Sequence, residues 1–208
     1  MSVRKLRWQV NDDYEHHVIA EDFTGRDLRK FSKLADQKVL SLRGVPEELA
    51  SLEFLADWHE LEVLRIRRSR SIDFSTLGKR KRLQELSIYG TRSKQTMDLS
   101  GIAKIKSLRR ISISFMPRLL SFPDLAACKN LQCVKIDTCK RLCDIKSVTK
   151  IKSLRELSTC GTALEPRDFK PIMRMPNIKY VNCQFKRVGL NDEFESLLQE
   201  HKLNVSRF

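Results

Sequence analysis

Long apolar runs are missing from this chain. No stretch approaches the roughly 20 residues needed to cross a bilayer, so no segment reads as a transmembrane helix. The start, MSVRKLRWQVNDDYEHH, carries basic residues with no apolar core behind them, which argues against a signal peptide. The expectation is a chain that works where it is made, in the cytoplasm, without membrane insertion. Paired C-x-x-C units are also missing. The six cysteines, at 128, 133, 139, 143, 160 and 183, are irregularly spaced. They predict free thiols, with neither a disulfide framework nor a metal site. Nor is there an H-E-x-x-H, a G-x-S-x-G or a glycine-rich phosphate loop. The four histidines, at 16, 17, 59 and 201, form no catalytic spacing, so an enzyme is disfavoured and no cofactor is implied.

What the chain has is positive charge and a repeat. Its 208 residues carry a net charge of +14. Residues 1–36 hold seven basic and seven acidic side chains, so the whole excess lies in residues 37–208. Such a balance favours an acidic partner without choosing between protein and nucleic acid.

A short phrase recurs as LEVLRI, LQELSI, LRRISI, LQCVKI, LRELST and IKYVNC, with a degenerate earlier copy, QKVLSL. The phrases end at Leu42, Ile66, Ile88, Ile113, Ile136, Thr159 and Cys183, in steps of 24, 22, 25, 23, 23 and 24 residues. The last two apolar positions of each phrase are two apart, so both point to one side of a strand. One unit cannot bury them alone, whereas stacked units form a continuous core. The inward pairs predicted are Leu40/Leu42, Leu64/Ile66, Leu86/Ile88, Ile111/Ile113, Val134/Ile136, Leu157/Thr159 and Val181/Cys183. Gly44, Gly90 and Gly161 each fall two residues past a phrase, where a chain leaving a strand needs positive φ. The 16–19 residues between phrases suit a turn and a short helical stretch.

The phrase resembles the leucine-rich-repeat family, whose signature is L-x-x-L-x-L-x-x-N/C-x-L. LQCVKIDTCKRL carries it best, with Cys139 at the N/C position and Leu142 after it. Elsewhere that position is Val45, Ser69, Thr91, Met116, Thr162 and Lys186, so the repeats are irregular and closest to cysteine- or plant-type units. The resemblance covers about Gln37 to Phe185. It implies an α/β solenoid, a curved parallel sheet of about seven strands with short helices or 3-10 turns on the convex side. Residues 1–36 then read as an N-terminal cap, with a helix presenting Leu28, Phe31 and Leu34. Residues 37–189 read as the repeats, and 190–208 as a capping helix and tail, with Asn191 or Asp192 as N-cap.

Function must come from the site, since the fold hosts many. Outward strand positions and the residues just after them bring six cations, Arg43, Arg65, Arg67, Arg68, Arg110 and Lys135, against three carboxylates, Glu85, Asp137 and Glu156. They also bring Tyr89, Phe115, Tyr180 and Phe185 to that face. Arginine mixed with aromatics is typical of protein-binding hot spots. The expectation is therefore a non-enzymatic module that binds an acidic protein surface. Its contact residues would be Arg43, Arg65, Arg67, Arg68, Tyr89, Arg110, Phe115, Lys135 and Tyr180, with the arginines of the first two units an uncompensated cluster. The resemblance implies roles such as adaptor or neutralising, immunity-type partner. The alternative is RNA or DNA binding along a basic ridge that precedes the strands: Lys79–Arg82, Lys104, Lys106, Lys129, Lys150 and Lys152.

Overall fold

The structure is a computed structural model that describes residues 7–8, 17–21, 23–90 and 97–203. These form one open, curved sheet whose strands lie in chain order. The strands are β1 (Arg7–Trp8), β2 (His17–Glu21), β3 (Val39–Arg43), β4 (Val63–Arg67), β5 (Glu85–Tyr89), β6 (Arg110–Ser114), β7 (Cys133–Asp137), β8 (Glu156–Cys160) and β9 (Tyr180–Gln184). β1 runs antiparallel to β2, and all later pairs are parallel. The register puts like positions of successive phrases side by side, as in Leu64↔Leu86 and Ile66↔Ile88. The seven phrase strands are β3 to β9. β2 is an eighth parallel strand, drawn from the segment read as cap.

Each inward pair sits in the core. Leu40, Leu42, Leu64, Ile111, Ile113, Val134, Leu157 and Val181 are fully buried, and Cys183 is half-buried against them. A buried leucine or isoleucine contributes roughly 1.5–3 kcal/mol, so the stack of like positions is the main source of stability. Its one polar member, Thr159, is buried and its hydroxyl donates to the Cys183 sulfur at 3.0 Å.

The returns between strands are turns and 3-10 segments, such as Phe74–Lys79, Ser100–Lys104 and Lys146–Lys150. Asp73, Asp98 and Asp144 open three of them by accepting a backbone N–H two residues on, at 2.8–2.9 Å. The return between β3 and β4 forms 3-10 turns at Glu47–Leu49 and Glu53–Leu55.

Positive φ follows the strands as expected at Gly44 (70°), Gly90 (60°) and Gly161 (61°). The same position is left-handed at Arg68, Phe115 and Thr138, with φ of 56°, 56° and 50°. The reason is a shared hydrogen bond. The N–H of residues 44, 90, 115 and 138 donates to the carbonyl ending the next strand, at 2.8–2.9 Å, and Arg68 N–H does so at 3.1 Å.

Aromatic clusters close both ends. Phe23, Phe31, Phe54 and Trp58 pack together at the first, with Phe31–Phe54 centroids 5.3 Å apart. α1 (Leu28–Ser32) supplies Phe31, while Leu28 and Leu34 are half-buried. At the other end α2 (Lys170–Met173) and α3 (Val188–Glu200) bury Ile172, Met173, Phe194, Leu197 and Leu198. Two expectations are corrected here. The last helix starts at Val188 behind Arg187, and Asn191 is not its N-cap. The Asn191 amide instead accepts from Phe185 N–H at 2.9 Å and donates to Phe185 C=O at 3.2 Å, tying the helix to the strand. Phe185 is accordingly buried between Phe169 and Phe194 rather than displayed. Thr91, His16 and the tail at 204–208 lie outside the described residues. Among the described residues no helix is long and apolar enough to cross a membrane.

Candidate functional site

Alternation along each strand turns its first, third and fifth residues away from the core. Parallel registration then makes three columns across the strand face. A fourth row comes from the left-handed residues that follow, so Arg68 and Phe115 owe their display to that backbone turn. These rows hold all nine expected contact residues, but not in one cluster.

Arg67, Tyr89 and Phe115 form a ladder on three neighbouring strands. The Arg67 guanidinium lies 5.4 Å from the Tyr89 ring centroid, and the Tyr89 and Phe115 centroids are 4.7 Å apart. Both rings are 41% exposed. Arg65 stands beside Ser41 and Ser87 in the central column, and Arg68 follows Arg67. Arg110, Lys135 and Tyr180 lie elsewhere: on β6 in the first column, on β7 in the central one and on β9 in the first.

The uncompensated arginine cluster expected in the first units is corrected in part. Arg43 is paired with Glu21 at 2.5 Å, because β2 sets the two in register. Arg110 is paired at 3.5 Å with Glu85 of the preceding strand. Both pairs are more than a third exposed on each side, and so contribute about 0–1 kcal/mol each to stability. Their larger effect is to cancel charge. β2 also adds His17, whose Nε2 lies 2.9 Å from the Ser41 hydroxyl. Burial holds the His17 pKa below its usual value, and Arg65 and Arg43 push it the same way. His17 and Glu21 were missed because HVIAE lacks the leucine phrase, although its alternation of valine and alanine inward was a usable signal.

The basic ridge is partly spoken for. Arg80 donates to the Leu55 carbonyl at 2.9 Å and also to that of Ala56. Arg82 pairs with Glu60, Lys150 with Asp124 at 2.7 Å, and Lys106 donates to the Ala103 carbonyl at 2.9 Å.

Cys128 and Cys139 are buried, Cys133, Cys160 and Cys183 half-buried and Cys143 exposed, all as free thiols. Burial raises the thiol pKa of Cys183 to about 12 and that of Cys133 to about 11, where Glu156 adds to the effect. Neither is a nucleophile near neutral pH. Cys133 and Cys160 stand at opposite ends of β7 and β8.

This arrangement is a leucine-rich-repeat solenoid presenting an arginine–aromatic strip on its strand face. No family model matches the chain, and no curated protein matches it. Solved structures do. It is similar to an internalin (InlF) from Listeria monocytogenes, at 15% identity and a TM-score of 0.53, over 79% of this chain and 53% of that one. It is also similar to TLR13 in a complex with ssRNA13, at 15% identity and a TM-score of 0.61, over 80% of this chain and 24% of that one. The chain thus spans about half of the first protein and a quarter of the second. At such identity the likeness is one of fold.

Proposed function

We propose that the protein is a non-enzymatic protein-binding module whose strand face receives an acidic protein surface. The observation that carries this is the exposed Arg67–Tyr89–Phe115 ladder, flanked by Arg65 and Arg68. Stacked rings on a rigid sheet lose little conformational entropy when covered, and arginine beside them can pair with carboxylates. Such a module serves as an adaptor or as a neutralising, immunity-type partner. Nucleic acid is the weaker reading. Four ridge cations already have partners within the chain, and Glu21, Glu85, Asp137 and Glu156 are interspersed on the strand face.

The test is capture of a partner by the immobilised protein, repeated with Arg65→Glu/Arg67→Glu and with Lys104→Glu/Lys106→Glu. Charge opposed to a paired group costs on the order of 2–5 kcal/mol of affinity. The strand-face variant should lose the partner at unchanged thermal stability, and the ridge variant should retain it. The reverse ranking, with a steep negative slope of log affinity against log salt on an oligonucleotide, would move the site to the ridge.

A further inference from the structure

Beyond the arginine–aromatic strip, a groove of about 440 Å³ lies where strands β5–β9 begin. Arg109, Arg155 and Lys179 line it from the position just before each strand. A backbone ladder holds them in one row: Gln132 N–H donates to Arg109 C=O at 2.8 Å, Arg155 N–H to Gln132 C=O at 2.9 Å and Lys179 N–H to Arg155 C=O at 2.8 Å. With strands about 4.8 Å apart, Arg155 and Lys179 are neighbours and Arg109 is two steps away. All three are exposed, and none is in an ion pair among the described residues. Of the groove's two carboxylates, Glu85 is paired with Arg110 at 3.5 Å, while Glu156 stands opposite Cys133 in the sheet register. Tyr180, 39% exposed, stands beside Lys179.

This repeats the composition of the Arg67–Arg68–Tyr89–Phe115 strip: cations without carboxylate partners next to an exposed ring. The two groups occupy diagonal corners of the strand face, one where β4–β6 end and the other where β6–β9 begin. Between them the central column carries Ser87, Ser112 and Ser158, with the exposed Lys135 standing among the serines on β7. We propose that this groove is a second docking site, and that one extended acidic segment of a protein partner spans both corners. The proposal rests on the protein-binding reading above and adds the path of the bound segment. From β4 to β9 the path crosses five strand spacings, about 24 Å, and runs about 16 Å along the strands, a diagonal of about 29 Å. An extended chain covers that with about eight to nine residues. A peptide can set a neutral residue opposite Glu156, which is in no ion pair among the described residues, whereas a continuous phosphate backbone would be repelled there.

The test is selection of random dodecapeptides on phage against the full chain, followed by fluorescence anisotropy of the winners. Selected peptides should carry Asp or Glu toward both ends with apolar residues between. Their affinity should fall at least tenfold with Arg155→Glu/Lys179→Glu and, separately, with Arg67→Glu/Arg68→Glu. Cutting a peptide to half its length should cost a similar factor, because the second contact is then lost. Arg155→Gln/Lys179→Gln, with a thermal melt, guards against a variant that fails to fold. Loss at Arg67/Arg68 with none at Arg155/Lys179 overturns the second site and leaves the broader reading standing. Loss at neither overturns both. No enrichment of acidic peptides, or stronger binding of a labelled dT12, overturns the acidic-segment proposal.

Discussion

Gly90 and Gly161 share a backbone conformation but not a neighbourhood, so alanine at each separates two costs that usually travel together. Their φ values are 60° and 61°. Holding an L-residue there costs about 1–2 kcal/mol, while removing glycine from the unfolded chain returns about 0.4–1 kcal/mol. The net for conformation alone is a destabilisation of about 0.5–1 kcal/mol. At Gly90 a new Cβ would meet nothing closer than Phe115 Cβ at 4.0 Å, so Gly90→Ala should cost about that much. At Gly161 it would lie 3.1 Å from Thr138 Cα and 3.4 Å from Thr138 N, both backbone atoms of the preceding unit. That backbone must shift, which adds about 1 kcal/mol, so Gly161→Ala should cost about 2 kcal/mol. Urea unfolding reads the difference as a larger fall in midpoint for Gly161→Ala at unchanged m-value. Equal costs at the two sites, or a gain at either, would refute the claim that shared geometry and separate crowding govern these turns.

Ile113→Asp should abolish folding, since a carboxylate at a fully buried mid-stack position costs more than about 4 kcal/mol; a normal circular dichroism melt for that variant would contradict the register. In native protein at pH 8, iodoacetamide should modify Cys143 first and Cys128, Cys133, Cys139 and Cys183 slowly, because burial raises all four of those thiols; mass spectrometry showing Cys183 as fast as Cys143 would contradict the packing. Backbone N–H donation holds the Asp27, Asp73 and Asp98 carboxyls below their usual pKa, and the Lys150 ammonium with Ala126 N–H does so for Asp124. Their contribution is therefore complete above the usual carboxylate range and is lost as pH falls through the lower folded-state values. Urea midpoints should drop below about pH 4, and Asp73→Asn with Asp98→Asn should make that drop shallower.

The sheet was legible because strand pairing copies the phrase: Leu64, Leu86 and Ile111 recur in the chain at the spacing that stacks them in space. β2 was not, because HVIAE joins the sheet by backbone pairing and by two small inward residues, Val18 and Ala20, without the flanking leucines. Missing β2 hid Glu21, and with it the neutralisation of Arg43. The turns at Gly44, Gly90 and Gly161 announced themselves by residue type. Those at Arg68, Phe115 and Thr138 did not, since the hydrogen bond to the next strand sets the conformation there whatever the side chain. Phe185 has the phase of a displayed residue, but a helix that only the three-dimensional structure brings over it makes it core. The Arg67–Tyr89–Phe115 ladder was legible as residues on neighbouring strands, whereas its stacking depended on the left-handed turn at Phe115.

The most direct measurement of the binding surface is hydroxyl-radical footprinting of the protein alone and with its captured partner. Tyr89, Phe115 and Leu120 begin at similar exposure, 41%, 41% and 49%, so each can report protection. Leu120 lies away from the strand face, beside Leu119 and Pro123 in the return after β6. The expected result is strong protection of Tyr89 and Phe115 with Leu120 unchanged. Protection of Leu120 with Tyr89 and Phe115 still fully oxidised would contradict a strand-face binding site.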